Sequence, residues 1–544
     1  MRIPKATCGE WTAIGLSGFL LFSAIVTWIL YPIIYDYKVE QTLILSQAKD
    51  TSLSYTTYFW SHPPSTNIIK FYLFNVTNPD EVTFYGAKPA IVEVGPFAVI
   101  ESEEKKYLKF NDDGTEVFYE NYKKYILSQE LSCADCDWNR TLTFPNSVGL
   151  GAASSVLNPQ FGITEVGVQI ISLFLVLMGE YSFVSHPIRE YIFDGYDDPF
   201  ISAAHSDFVF ILGEVFNNGK SIIPIPVPSM KRFGFFQGYN NSRDENYWIK
   251  TGKNDNAQLG VISTWGGLTD LPEEWCPMWT DESTKTGFFF SFMCRSFEKS
   301  FLKKSSVDGV PTLDFSVTAD QYDTTADENM GFRYRNPEKR NYFPEWPKCP
   351  PKAPCTQTGV DCQLRENFCH SCCNGSFYND TYLLPPGMFP LVCYPGRIQP
   401  TPFNVFYSPP HYLWAPEEVL ETVYSDMKPD FDLHNPWVFS HEPTSGSLVH
   451  MINRLQVNMP VVNNKDVIIT TNMRNVVIPL MWQETMVTMN SNIVNNLWMG
   501  MVLVPRVINT VKFSLIAISF LIIVILTYLR IRKSRSNRVA MSKI

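Results

Sequence analysis

The chain contains no G-x-S-x-G, no H-E-x-x-H and no phosphate-binding P-loop, and His441-Glu442-Pro443 lacks a second histidine four residues on. These absences exclude the commonest hydrolytic and nucleotide-dependent chemistries, so no catalytic residue, metal ligand or cofactor is expected. No acid occurs in residues 530–544, and no lysine between Lys124 and Lys220. No Gly/Ser-rich or charge-rich linker divides the interior, and no internal period is present, which argues against a repeat array. Charged residues are scarce at 18%, against 45% apolar and 14% aromatic, which excludes disorder as the dominant state. The net charge is −10 despite a basic C-terminal tail, so the middle of the chain is strongly acidic and unsuited to nucleic acid.

Two long apolar runs stand at opposite ends. The first spans Trp11 to Tyr35, between Glu10 and Asp36; the second spans Phe513 to Leu529, between Lys512 and Arg530. A hydrocarbon layer of ~30 Å needs about 20 helical residues at ~1.5 Å each, so both runs can cross, the second with help from its flanks. The C-terminal tail carries Arg530, Arg532, Lys533, Arg535, Arg538 and Lys543, which marks it as cytoplasmic. Arg2 and Lys5 against Glu10 place the N-terminus on the same side, as two spans require. The first run is too long for a usual signal peptide, and Tyr31-Pro32 offers no small-residue cleavage site, so it reads as a signal anchor. The expected layout is an N-tail (1–11), a first span (12–35), an ectodomain (36–511), a second span (512–529) and a C-tail (530–544).

Of twelve cysteines, only Cys8 lies on the cytoplasmic side, where its position near the membrane makes it a palmitoylation candidate. The rest belong to an oxidising compartment and should mostly pair, although their number is odd. Cys349, Cys355, Cys362, Cys369, Cys372 and Cys373 cluster around His370, a composition seen at zinc sites. The Pro-rich surroundings and the sequons at Asn374 and Asn379 favour a disulfide-stapled surface loop instead. Further sequons stand at Asn75, Asn139 and Asn240, which makes the ectodomain a glycoprotein by expectation.

Residues 39–60 read as a helix leaving the membrane. Extended runs follow at Ile68–Asn75, Ala90–Ile100, Glu116–Tyr119, Ser221–Val227, Gly260–Trp265, Thr312–Val317, Met451–Val462 and Val476–Met481, rich in β-branched and aromatic residues. A β-rich domain with helical insertions is the natural class. Val166 to Met178 departs from this pattern: thirteen almost wholly apolar residues, too few to cross a bilayer, which predict a buried, membrane-contacting or ligand-binding helix.

Several motifs resemble the class B scavenger receptor family. Phe71–Val82 (FYLFNVTNPDEV) is followed by Val94-Gly95-Pro96-Phe97, and Arg189-Glu190 precedes Gly195-Tyr196-Asp197-Asp198-Pro199-Phe200 with one residue more between the halves than the family pattern. Met293-Cys294-Arg295-Ser296, Gly446 with its following strand, and Asn453–Asn458 match as well. The resemblance implies an α+β fold: two transmembrane helices anchoring a large ectodomain with an antiparallel β-barrel core, an apical helical bundle (163–190) and an apolar tunnel. Such a passage suits lipids, since each acyl CH₂ removed from water gains ~0.8 kcal/mol. Phe288 and Phe289 match the paired phenylalanines of the family's lipid cavity. Cys294 and Cys393 look like its long-range disulfide, and Cys276 should join one cysteine of the 349–373 cluster, giving a disulfide-rich region over 276–393. Cys133 and Cys136 are additional to the family pattern, and their connectivity is left open.

The Val166–Met178 helix falls where the family places its ligand-binding helix, with Val168, Ile171, Phe174, Leu175 and Met178 as expected contacts. The positions that carry lysines in the fatty-acid translocases are approximately Leu177 and Gly179 here, so capture by apolar contact is expected rather than by lysine. The expected partners are fatty acids, phospholipids or sterols, or lipoprotein-like particles, together with the membrane. Ser542-Lys543-Ile544 could add as a strand to a PDZ-domain protein. No acidic dileucine motif is present, so the plasma membrane is the expected location, with an endosomal or lysosomal membrane as the alternative. The expected function is a receptor that passes lipid to the membrane; the alternative is a protein-binding or endocytic recognition receptor with the tunnel secondary.

Overall fold

The computed structural model describes residues 8–157, 162–206, 232–236, 242–263, 270–291, 293, 295–324, 326, 328–329, 334–335, 377–378, 381–382, 384–391 and 405–541. Two helices, α1 (Cys8–Leu43) and α5 (Val504–Met541), contain the apolar runs and extend beyond them at both ends. They pack along one another. Ser17 and Ser519 exchange hydrogen bonds, each hydroxyl donating to the other's carbonyl at 3.1 and 3.0 Å, and their Oγ atoms lie 2.9 Å apart. In hydrocarbon a hydroxyl has no water to turn to, so the pair is satisfied only while the helices stay in contact. Nearer the ectodomain Trp28 meets the edge of Phe513 at 6.0 Å, and Lys512 lies 4.8 Å over the Trp28 ring. The outward faces (Trp11, Phe19, Phe22, Phe520, Leu521) are exposed and apolar, as lipid contact requires.

The helix expected over 39–60 is interrupted. α1 ends at Leu43, and a loop leads to a short helix, α2 (Tyr55–Ser61), started by the Ser54 hydroxyl accepting the Thr57 N–H. The core is one large curled sheet. Its main strands are β1 (Ser65–Val76), β2 (Ile91–Phe110), β3 (Glu116–Ser128), β4 (Ser242–Lys250), β5 (Leu271–Pro272), β6 (Thr286–Phe290), β7 (Arg295–Val307), β8 (Val310–Ser316), β9 (Trp437–His441), β10 (Leu448–Val461) and β11 (Val476–Met489). Their order across the sheet is β4-β3-β2-β1-β11-β10-β9-β8-β7-β6-β5, antiparallel except for the β5/β6 pair at one edge. Right-handed twist over so many strands curls the sheet until its two edges approach: Tyr247 of β4 meets the edge of Phe289 of β6 at 6.4 Å.

The first and last long strands are neighbours, with Ser65 of β1 opposite Met489 of β11. Ser65 follows α2 closely, and Met489 is followed by the helix Ser491–Leu497 and a π-helical turn, Trp498–Leu503, that runs into α5. That end of the sheet therefore faces the membrane. The far end, where β10 passes to β11 through a helical turn at Ile468–Thr470, carries the cap.

The cap holds a two-stranded ribbon (Thr141–Pro145 with Phe183–Pro187) and two helices, α3 (Ser147–Val156) and α4 (Glu165–Leu177). Asn146 caps α3 by accepting the N–H groups of Val148 and Gly149, and Thr164 caps α4 by accepting that of Gly167. Beneath them Glu180 and Asp198 are both fully buried; Asn146 Nδ2 donates to Glu180 Oε2 at 2.7 Å, and Asp198 accepts the Ile201 N–H at 2.9 Å.

The predicted extended runs at Ile68–Asn75, Ala90–Ile100, Glu116–Tyr119, Thr312–Val317, Met451–Val462 and Val476–Met481 fall within or nearly within β1, β2, β3, β8, β10 and β11. The run at Gly260–Trp265 is no strand in its described part, only a single bridge from Ile262 to Ile249, and Ser221–Val227 lies outside the described residues. β2 continues to Phe110 through a charged stretch that reads as a strand end.

Candidate functional site

That charged stretch builds the interior. On a strand alternate residues share a face, so Glu101, Glu103 and Lys105 of β2 point the same way and pair across to Tyr125, Lys123 and Asn121 of β3. With Asn67 of β1 and Thr485 of β11, all of these except Tyr125 line a cavity of about 130 Å³ in the membrane-proximal half of the barrel. Phe59 and Trp60 of α2, Tyr119, Tyr247 and Phe289 supply an aromatic wall, and Glu273 and Glu274 follow β5 at its side. A smaller lobe of about 30 Å³ shares Glu101, Lys123, Glu273, Met451 and Thr485 and adds Asn453.

The charges are largely matched within the cavity. Lys105 Nζ lies 2.6 Å from Glu103 Oε1 and 3.5 Å from Glu274 Oε1, and stands over the Trp60 and Tyr119 rings at 5.6 and 5.8 Å. Lys123 Nζ is 3.8 Å from Glu101 Oε2, and Asn67 Nδ2 donates to Glu101 Oε1 at 3.2 Å. Burial raises the Glu103 carboxyl, but Lys105 and Lys123 outweigh it and leave the group below its ordinary range. Glu273 goes the other way: burial, only partly offset by Lys123 and reinforced by Glu274, Glu103 and Glu101, pushes it up to about 8. Two acceptors, Asn121 Oδ1 and Glu273 Oε2, are buried without a hydrogen-bond partner among the described residues, as are two donors, Trp60 Nε1 and Asn453 Nδ2.

Phe288 and Phe289 separate. Phe289 faces this cavity. Phe288 points to the opposite side of β6, fully buried against Phe297, Trp437 and Phe439, with Lys299 Nζ 5.3 Å from its ring. Adjacent strand residues cannot line one surface, so Phe288 is core and only Phe289 is wall. The mixed polar lining here contrasts with the uniformly apolar passage expected from the sequence. The signal that could have revealed it is the period-two spacing of Glu101-x-Glu103-x-Lys105 opposite Asn121-x-Lys123.

At the far end α4 is half buried. Ser172 Oγ accepts the Ile468 N–H at 2.7 Å, and Gln169 donates to Asp466 at 2.8 Å, which fixes the helix on the β10–β11 turn. Val168 and Leu175 are buried under it, each contributing ~1.5–3 kcal/mol. Ile171 and Met178 are half-buried, so of the five expected contacts only Phe174 is exposed. The outward face is instead Val166 and Ile170 (each 64% exposed), Leu173 and Leu177 (71%), adjoined by exposed Ile468. The sequence marks the helix but not its rotation, because apolar residues surround it on every side. Lys465, on the adjoining β10–β11 turn, lies 3.0 Å from Glu165 Oε1.

Cys133 and Cys136 form a disulfide with Cα atoms 5.0 Å apart. Cys276 is buried with no disulfide partner among the described residues, its Sγ 3.4 Å from Thr280 Oγ1, and the cluster it is expected to join lies outside them; Cys8 is exposed. Cys294, Cys393, the 349–373 cluster, Asn240, Asn374, Asn379 and Ser542–Ile544 lie outside the described residues. Asn139 is exposed; Asn75 is half-buried in β1 and accepts the Thr143 N–H at 2.8 Å.

Comparison with known proteins gives the lineage. The sequence model of the CD36 family matches residues 14–530, nearly the whole chain including both apolar helices. The chain belongs to the CD36 family. Among its relatives is an uncharacterized protein of Caenorhabditis elegans, R07B1.3, 40% identical over 95% of this chain and 96% of that protein. Scavenger receptor class B member 1 of Mus musculus is 23% identical over 95% of this chain and 89% of its own length. Lysosome membrane protein 2 of the same species is 24% identical over 96% and 95%. This CD36-family chain is thus a class B scavenger receptor by lineage and a two-span membrane protein by its helices. Its relatives include a scavenger receptor and a lysosome membrane protein, so kinship alone names no compartment.

Proposed function

We propose that this receptor captures lipids or lipid-carrying particles at the exposed face of α4 and delivers lipid through the barrel interior to the membrane. The single observation that supports it most is the apolar face at the far end of the ectodomain: Val166, Ile170, Leu173 and Leu177 stand out in water with Ile468 beside them. Exposed apolar clusters of this kind are costly unless they meet an apolar partner. The aromatic wall around Phe289 lies at the opposite, membrane-facing end and supports an exit there. In this reading the receptor sits in the plasma membrane with both tails in the cytoplasm, Cys8 is acylated, and Asn139 carries glycan.

The test is uptake of a labelled lipid, scored beside particle binding, in cells expressing the chain. Leu177→Asp should lower particle binding and lipid uptake together at unchanged surface level. Particle binding with no lipid uptake by the wild type would replace transfer by recognition of the particle or of a protein on it.

A further inference from the structure

We propose that the cavity at the membrane-facing end of the barrel binds the protonated primary amine of a single-chain amphiphile, held by Asn121 and Glu273 against the aromatic wall. This deepens the reading of lipid passage by naming the head group that the passage selects.

The argument starts from what the cavity leaves unsatisfied. Asn121 lines the cavity and is only 3% exposed, and its Oδ1, like Glu273 Oε2, is buried with no hydrogen-bond partner among the described residues. A buried acceptor without a donor is costly, so both oxygens call for N–H or O–H groups from a ligand. An ammonium brings three donors and a positive charge.

The surroundings favour that charge. Four carboxyls (Glu101, Glu103, Glu273, Glu274) face two lysines, and both lysines are already bonded: Lys105 to Glu103 and Glu274, Lys123 to Glu101. A carboxylate or phosphate head would meet the acids with both lysines of the described lining already paired. Aromatic faces at Tyr119, Tyr247 and Phe289 add cation–π attraction to an organic cation and shelter its first methylenes, which an inorganic ion would not use.

The size agrees: about 130 Å³ approaches that of a cavity able to enclose benzene, enough for a small head and the start of its chain but not for a folded acyl tail. Binding also moves a proton. Glu273, held protonated up to about 8 by burial, ionises when the ammonium arrives; the charged groups that face it are Glu101, Glu103, Glu274, Lys105 and Lys123. Near pH 7 about one proton leaves for each amine bound.

The experiment is calorimetric titration of the full chain in maltoside micelles with dodecylammonium, dodecanol and laurate, each corrected by a micelle blank. Dodecylammonium should bind at least about tenfold more tightly than laurate, with an enthalpy that follows the buffer's ionisation heat. Glu273→Gln should abolish that buffer dependence and weaken the amine about tenfold, leaving dodecanol within about twofold. Asn121→Asp, which adds a negative acceptor, should strengthen the amine, so a gain and a loss are both measured on folded protein. Equal binding of laurate and amine, no amine binding by the wild type, or displacement of the amine by millimolar calcium or potassium as the better ligands would overturn the proposal. Amine binding retained in a receptor whose cells take up no lipid would overturn the passage instead and leave this site standing.

Discussion

Gly446 lies at φ +70°, in the left-handed region that favours glycine, and a Cβ there would fall 2.2 Å from the Cys276 carbonyl oxygen. Left-handed strain and a backbone clash act together, so Gly446→Ala should destabilise the ectodomain by at least ~2 kcal/mol, read as a fall in thermal unfolding midpoint and in surface level. The two phenylalanines of β6 make a sharper pair. Phe289→Asp places a charge on the cavity wall rather than in the packed core, so the protein should reach the surface but transfer apolar lipid poorly. Phe288→Asp buries that charge among Phe297, Trp437 and Phe439 and should leave little protein at the surface. Equal surface levels for the two variants would show that Phe288 also faces the passage. Their sequence neighbourhood is uniformly aromatic and cannot reveal which ring turns inward; only the strand's register settles that. Glu101, Glu103 and Lys105 were legible in principle, since a strand that alternates charge on one face implies a polar interior, but a charged run looks like a strand's end when its partners are unknown.

At the scale of the element, α4 was found at the expected place, yet its buried and exposed faces are chemically alike, so its rotation had to come from the contacts of Ser172 and Gln169 with the β10–β11 turn. Leu175→Asp should misfold the cap, and Leu177→Asp should fold and bind particles weakly. Because Lys465 is engaged by Glu165, capture should change little with salt, which screens charge but leaves apolar contact intact. Loss of particle binding on a modest increase in salt would assign capture to a basic surface elsewhere.

The floor of the cap responds to pH. Burial, and then the neighbouring Asp198, push Glu180 up to about 7 from its ordinary 4.5, and Asp198 is itself raised by burial. The folded state therefore holds this proton more tightly than the unfolded chain does. Its contribution is fully present below about 4.5 and is lost as pH rises through about 7. Amides of α3 and α4, corrected for intrinsic rates, should exchange more slowly near pH ~5 than near ~7.5, and Glu180→Gln should flatten the difference. The family motif Gly195–Phe200 thus has a structural office here, since Asp198 within it both starts a short helix and borders Glu180.

At the scale of the whole molecule, the two-span layout and the mixed α+β class were legible because each apolar run is uninterrupted by charge and because β-branched segments recur between turns. Closure of the sheet was expected only through the family resemblance, since it depends on Tyr247 reaching Phe289, residues joined by no pattern in the chain. The anchoring of the sheet has its own consequence. β1 and β11 lie side by side, and both leave for the bilayer from the same end. Drawing the two stalks apart would load that ladder as a peel, breaking its hydrogen bonds one rung at a time, the weakest way to open a sheet. The Ser17–Ser519 clasp and the Lys512–Trp28 contact hold the stalks together, so a tug from a particle held at the apex reaches the barrel as tension along both strands at once, shared by the whole ladder. A pull on the apex therefore does not unzip the seam between β1 and β11.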